Sequence, residues 1–157
     1  MKYRLLTLEE LKELEPEFVR FLASNQITAD DWVAIKTNNT TKVDELVELF
    51  SDIVLEKVLS KVKYAEQRSS DSLLLFNFTD DKILLAGLST QKDSDIDFTQ
   101  QECIAKIAAN PTNFSGQINY FKSEKTYIKS REEEIFAILS AGGLITDEKL
   151  FNTMSGI

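Results

Sequence analysis

Four clusters in this 157-residue chain combine residue types and spacings that could do chemistry. The stretch ITADDW sets Asp30 and Asp31 beside the chain's single tryptophan, Trp32, and neighbouring carboxylates can hold a metal or exchange a proton. The stretch DSDID puts Asp93, Asp95 and Asp97 at positions 1, 3 and 5 of a calcium loop, where alternate oxygens converge on a hard cation. That pattern then breaks: Phe98 stands where glycine is needed for the turn, and Ile104 where a bidentate glutamate should close the sphere. Ser60 and Lys63 satisfy S-x-x-K, a spacing that lets an amine activate a serine, but no S-D-N or K-T-G follows. Cys103 would need a stabilised thiolate to act as a nucleophile, and its neighbours Glu102 and Ile104 supply no positive charge.

Composition removes whole classes of mechanism. The chain has no histidine, so a Ser-His-Asp triad, a Cys-His dyad, an HExxH zinc site and a histidine general base are all impossible within it. With only five glycines it contains neither G-x-x-x-x-G-K nor G-x-G-x-x-G. No catalytic, metal or cofactor-binding residue is assigned, and no cofactor is expected. An enzyme would have to use a carboxylate pair brought together only by folding.

The 18 basic against 26 acidic side chains, a formal charge of −8, disfavour attraction to nucleic acid or anionic lipid. The acidity is uneven, net −5 over residues 1–60 and −3 over 61–157, and a basic, aromatic stretch lies in the second part. In NYFKSEKTYIKSR, Tyr120, Lys122, Lys125, Tyr127, Lys129 and Arg131 interleave rings with cations, the pattern with which a protein stacks bases and holds phosphate, or meets an acidic partner. The competing reading is an edge strand whose lysines deter aggregation while its aromatics fill the core. FAILSAGGLITDEKLFN has the outline of a helix-turn-helix, yet Asp147 and Glu148 against Lys149 alone would repel a DNA groove. The partner is expected to be another protein or the chain itself, with RNA second; neither DNA nor a membrane is expected.

The elements that would position these residues follow from periodicity and caps. Thr7 with Glu10 opens a helix carrying Leu8, Leu11, Leu14, Phe18, Phe21 and Leu22 on one face. Pro16 must kink it or lie in the first turn of a second helix. ITADDW repeats the cap grammar, with Thr28 as cap, Asp31 three residues on and Ile27 placed to pack on Trp32. Negative charge in a first helical turn is favoured by about 0.3–1 kcal/mol, which accounts for Asp30 and Asp31 without a ligand. TTKVDEL starts a third helix at Thr41 and Asp44, apolar through Val43, Leu46, Val47, Phe50, Ile53, Val54, Val58 and Leu59, with Glu45, Glu48, Asp52 and Glu56 opposite as a solvated face.

Near residue 61 the period changes from helix to strand. Val62 and Tyr64 alternate with Lys61 and Lys63, and SLLLFNF and KILLAGLS form a hairpin across TDDK, which makes Asp80 and Asp81 turn residues. Runs so evenly apolar predict strands covered on both faces. A short helix starts at Asp97, QINYFK is a fourth strand, Ser130 and Glu133 box a helix that Gly142 and Gly143 end, and a last helical turn follows Thr146.

MKYRLLTLEEL (1–11), FVRFLASNQITADDW (18–32) and FSDIVLEKVL (50–59) together resemble a family of small acidic cytoplasmic proteins from the Bacteroidota, defined by a domain of unknown function. The resemblance runs the length of the chain and implies no established activity and no site residues. The expectation is therefore a single cytoplasmic α+β domain over 1–157, helical over 1–60 and mixed over 61–157. In it a helical N-terminal half packs on a three- to four-stranded, mainly antiparallel sheet, with further helices at the C-terminus. The expected function is a non-enzymatic protein-interaction or regulatory module; the alternative is an RNA- or ribosome-associated factor using 120–131.

Overall fold

The change of hydrophobic period near residue 61 is also where the structure divides. In the computed structural model, which describes residues 1–157, Met1–Ser60 and Lys61–Ile157 form two compact units. The class is α+β, with seven helices and one antiparallel sheet of five strands. No helix is long and apolar enough to cross a membrane.

The first unit consists of helices α1 (Leu8–Glu13), α2 (Glu15–Ser24), α3 (Ala29–Asn38) and α4 (Thr40–Ser60). Pro16 ends one helix and begins another, occupying the first turn of α2, where its missing N–H costs nothing. Both expected capping boxes are closed. Glu10 N donates to Thr7 Oγ1 at 3.2 Å and Thr7 N to Glu10 Oε2 at 2.9 Å; Asp31 N donates to Thr28 Oγ1 at 3.1 Å and Thr28 N to Asp31 Oδ2 at 3.0 Å. These bonds hold the Asp31 carboxyl below its ordinary range. Ile27 and Trp32 pack against one core of Leu6, Phe21, Leu22, Leu46 and Phe50, and Trp32 meets Phe18 edge-on at 5.4 Å.

Two expectations for α4 are corrected. Its cap is Asn39, whose Oδ1 accepts from Lys42 N at 3.1 Å, and not Thr41; α3 ends on the same residue, so one asparagine serves as the whole joint. The face of α4 opposite its apolar stripe is also not simply solvated. Asp52 accepts from Lys2 N at 2.6 Å and Tyr3 N at 3.0 Å, Glu56 accepts from Lys2 Nζ and Tyr3 Oη, and the fully buried Ser51 Oγ accepts from Leu6 N at 3.1 Å. The extended N-terminal segment, which has no regular partner of its own, is thus tied along α4 by side chains.

The second unit contains β1 (Tyr64–Arg68), β2 (Ser72–Phe78), β3 (Lys82–Thr90), α5 (Gln101–Ala109), β4 (Ile118–Thr126), α6 (Arg131–Ser140), β5 (Leu144–Thr146) and α7 (Glu148–Ser155). Strand order is β4-β3-β2-β1-β5, all antiparallel. β5 exceeds the three or four strands expected because three residues between a glycine and a helix cap are too few to show alternation. α5 begins at Gln101 rather than at Asp97; Asp97 instead closes a turn by accepting from Thr99 N and Oγ1 at 2.9 and 2.6 Å.

Register sorts the apolar runs to two faces. Leu73 opposite Leu88 and Leu75 opposite Ala86 point to the face covered by Ile104 and Ile107 of α5 and by Phe151 and Met154 of α7, with Phe98 sealed among them. The phenylalanine that breaks the calcium-loop pattern is thereby a core anchor. On the other face, Phe76 and Phe78 stack at 6.0 Å and Ile138 of α6 borders the hollow beside Phe76, Ile83 and Leu85. α6 ends as expected: Gly142 has φ +103°, its N–H reaches Leu139 O, and Gly143 N reaches Ile138 O at 3.0 Å, the paired bonds of a Schellman stop.

A pH prediction follows from α1. Two bonds from Arg4, at 2.9 and 3.0 Å, together with the Thr7 N–H pull the Glu10 carboxyl down to about 2. Because the folded value lies below the unfolded one, the stabilisation is present above the ordinary carboxylate range and is lost as pH falls toward about 2. Urea midpoints followed by Trp32 fluorescence should fall between roughly pH 5 and pH 2 in the native chain, and fall less steeply in Glu10→Gln.

Candidate functional site

Alternation along β1 puts Tyr64, Glu66 and Arg68 on the face that α5 and α7 cover, since Glu66 lies opposite Leu75 and Arg68 opposite Leu73. Two charges are therefore carried toward an apolar layer. Glu66 is 6% exposed, and burial of a carboxylate is tolerated only when it is paired. Its partner is Arg68, whose Nη2 lies 2.9 Å from Oε1 and 3.0 Å from Oε2, while Nη1 donates to Gln101 Oε1 at 3.0 Å. The remaining donor, Arg68 Nε, is buried and bonded to nothing.

These residues line a cleft of about 430 Å³ between α5 and α7, together with Thr146, Lys149 and Thr153. Asp147 caps α7 by accepting from Lys149 N at 2.9 Å, and Thr153 Oγ1 donates to Lys149 O at 2.9 Å. The Lys149 ammonium projects from this first turn without an ion pair. Chemically the cleft sets two carboxylates, Glu66 and the exposed Asp147, against two cations, Arg68 and Lys149, with donors left over on both cations. Glu66 has both oxygens on one guanidinium and is not poised as a base.

Sequence reasoning passed over Glu66 and Arg68. The local signal is limited to spacing: opposite charges at i and i+2 of YAEQR share a face once the stretch is a strand, and its inner place between β2 and β5 comes from the fold. A pair of that kind is either exposed at an edge or buried at the head of a cleft.

The six residues of the basic, aromatic stretch do not share one surface. Lys122 and Lys125 differ by an odd number of positions on β4 and face opposite sides of the sheet. Tyr120 packs against the core, its Oη 3.4 Å from Pro111 O, and burial raises its phenol above the ordinary range. Lys125 pairs with Glu134 at 2.9 Å. Tyr127 Oη donates to Thr79 O at 2.8 Å; Arg131 Nε reaches the same carbonyl at 3.3 Å, and Arg131 Nη2 donates to Phe78 O at 3.1 Å and to Val62 O. Both side chains are turned onto the end of the β2–β3 hairpin. Lys122 and Lys129 are left as the outward cations.

The other chemically suggestive residues are placed as turns and caps. Ser60 Oγ donates to Lys57 O at 2.7 Å in its own helix. Asp81 accepts from Thr79 Oγ1 at 3.1 Å within the hairpin turn. The Thr99 hydroxyl and N–H hold Asp97 below its ordinary range, Asp93 sits at φ 64°, and no three acidic or thiol side chains converge as metal ligands. Cys103 is half-exposed on α5 beside the buried Ile104.

Fold and cleft together define an α+β protein whose antiparallel sheet carries a charged cleft under two of its helices. The chain belongs to DUF6495, a family of unknown function, which it matches over residues 1–157. No curated protein and no solved structure matches it.

Two stability predictions attach to these side chains. Glu66→Leu alone strands the Arg68 guanidinium and should cost about 2–3 kcal/mol in urea unfolding, below the 3–5 kcal/mol range of fully buried pairs because Arg68 keeps some solvent. Adding Arg68→Met should recover part of that loss, and a double variant as unstable as the two losses summed would show that the pair is not coupled. Arg131→Met takes the guanidinium donor from the carbonyls of Val62 and Phe78, while Thr79 O keeps Tyr127 Oη, and should cost about 2 kcal/mol, whereas a purely surface cation would change stability by less than about 0.5 kcal/mol.

Proposed function

We propose that this chain is a non-enzymatic interaction module that takes an acidic group of a partner protein into the cleft between α5 and α7. The supporting observation is the state of Arg68, which lines the cleft and whose donors its own chain does not fill. A guanidinium is an obligate donor whose N–H groups Glu66 and Gln101 do not exhaust, and a side chain still 22% exposed lets a ligand that brings lone pairs reach it. Lys149, lining the same cleft, adds a second cation. An entering carboxylate would form charge-assisted bonds worth about 1.5–3 kcal/mol each, enough to select acidic segments although the chain itself is acidic. Glu66 serves in this reading to hold the guanidinium in place rather than to move protons. The module acts in the cytoplasm, where a lone thiol such as Cys103 stays reduced.

A peptide array of acidic, basic and neutral segments, probed with the whole chain, tests the reading. Acidic segments should be retained, with affinity falling as salt rises. Lys149→Glu, an exposed substitution, should weaken retention about tenfold or more, the equivalent of about 1.4 kcal/mol. Equal retention by the native chain and the variant, or no preference for acidic segments, would overturn it.

A further inference from the structure

β4 is an outer strand of the sheet, and its nine residues pair with β3 without a bulge from Lys82 opposite Thr126 to Thr90 opposite Ile118. The opposite outer strand, β5, has three residues. From Phe121 to Thr126 every residue of β4 is exposed. Alternate N–H and C=O groups of such a strand point away from its neighbour and form a template for another strand. Proteins usually blunt a long edge with proline, a bulge or charges, lysine above all; β4 has neither proline nor bulge, and its lysines, Lys122 and Lys125, flank a glutamate, Glu124, so its charges are mixed in sign.

The order of those charges selects the occupant. Lys122, Ser123 and Glu124 read as a charge palindrome about Ser123. In antiparallel pairing, residues that point their backbone groups outward face one another, so a strand meeting its own copy can centre on a residue but not between two. Centring on Lys122 or on Glu124 sets like charges opposite each other. Centring on Ser123 sets Lys122 opposite Glu124 of the second copy, and Glu124 opposite its Lys122, both pairs on the face of α5 and α7. On the other face Phe121 meets Lys125 of the second copy, ring against cation. Lys122 has no ion pair within its own chain, and Glu124, paired with Lys82 at 3.0 Å, is still 62% exposed. Hollows of about 410 and 310 Å³ flank the strand, one bordered by Leu84, Lys122 and Phe151 and the other by Phe76, Lys125 and Ile138; both are bordered by Ser123.

We propose that two copies of this chain associate edge to edge through β4, antiparallel about a two-fold axis at Ser123, which joins their sheets into one of ten strands. The charged cleft lies toward the β1 and β5 side of each sheet, so this contact is independent of the acidic-group reading.

Sedimentation equilibrium of the full chain, with circular dichroism to verify folding, tests the assignment. The native protein should dimerise, less tightly as salt rises. Lys122→Glu and Glu124→Lys, each creating two like-charge contacts across the axis, should weaken the dimer about tenfold or more. Mixed in equal amounts, these two variants should regain association as a heterodimer, and the double variant Lys122→Glu/Glu124→Lys should dimerise by itself. A native chain that stays monomeric at high concentration, which would leave the edge to a strand of another protein, overturns the proposal. So do single variants that dimerise as tightly as the native chain, or a mixture that fails to associate.

Discussion

A strand that is apolar on both sides has to be covered on both sides, and this requirement organises the sheet unit. Leu73 and Leu75 of β2 point to one face, Leu74 and Phe76 to the other. The chain answers with α5 and α7 above and α6 against the opposite face. Burying one such side chain is worth about 1.5–3 kcal/mol, so the central strands commit the helices to their places. The cost appears on β1, where the same alternation carries Glu66 and Arg68 beneath the helical layer. Each can remain there only because it neutralises the other.

Most of the acids and hydroxyls that invite a chemical reading are occupied in starting helices and closing turns. Asp31, Glu10 and Glu133 each return a bond to the residue that caps their helix, and Asp97 closes a turn on Thr99. A cap contributes about 1 kcal/mol, a modest gain, but at α1, α3 and α6 it marks where the helix begins, whereas α2 and α5 start without a side-chain cap. Asp52 shows the same economy at long range, accepting two backbone N–H groups from the N-terminal segment.

The basic stretch illustrates how the same residue type acquires different work from its neighbours. Arg131 lies where the β2–β3 hairpin and the approach to β1 leave carbonyls without ladder partners, and a guanidinium has enough donors to serve several at once. Lys125, one strand away, finds Glu134 on the helix that follows. Lys122, on the opposite side of the strand, finds nothing in its own chain. At Gly87 the absent side chain is replaced by the Phe121 ring, which lies so close that a β-carbon there would be 2.1 Å from it. An aromatic on the outer strand, directly across from a glycine of the inner strand β3, restores the cover that the glycine lacks.

The sequence by itself determined what depends on neighbours a few residues apart: the α+β class, the caps at Thr7, Thr28 and Ser130, the break at Pro16, the hairpin across Thr79–Lys82 and the stop at Gly142. These are local because a cap bonds three residues away and a strand alternates every second residue. It did not disclose β5, the Asn39 joint, the anchoring role of Asp52, or the pairing of Glu66 and Arg68 under α5 and α7. Whether a charge is solvated or buried depends on which element lies over it, and that element is here more than thirty residues away in the chain. Only the tertiary structure could turn two unremarkable letters in YAEQR into a cleft with an unfilled donor, because the energy that decides it, desolvation, is set by the fold around the charge rather than by the residue that carries it.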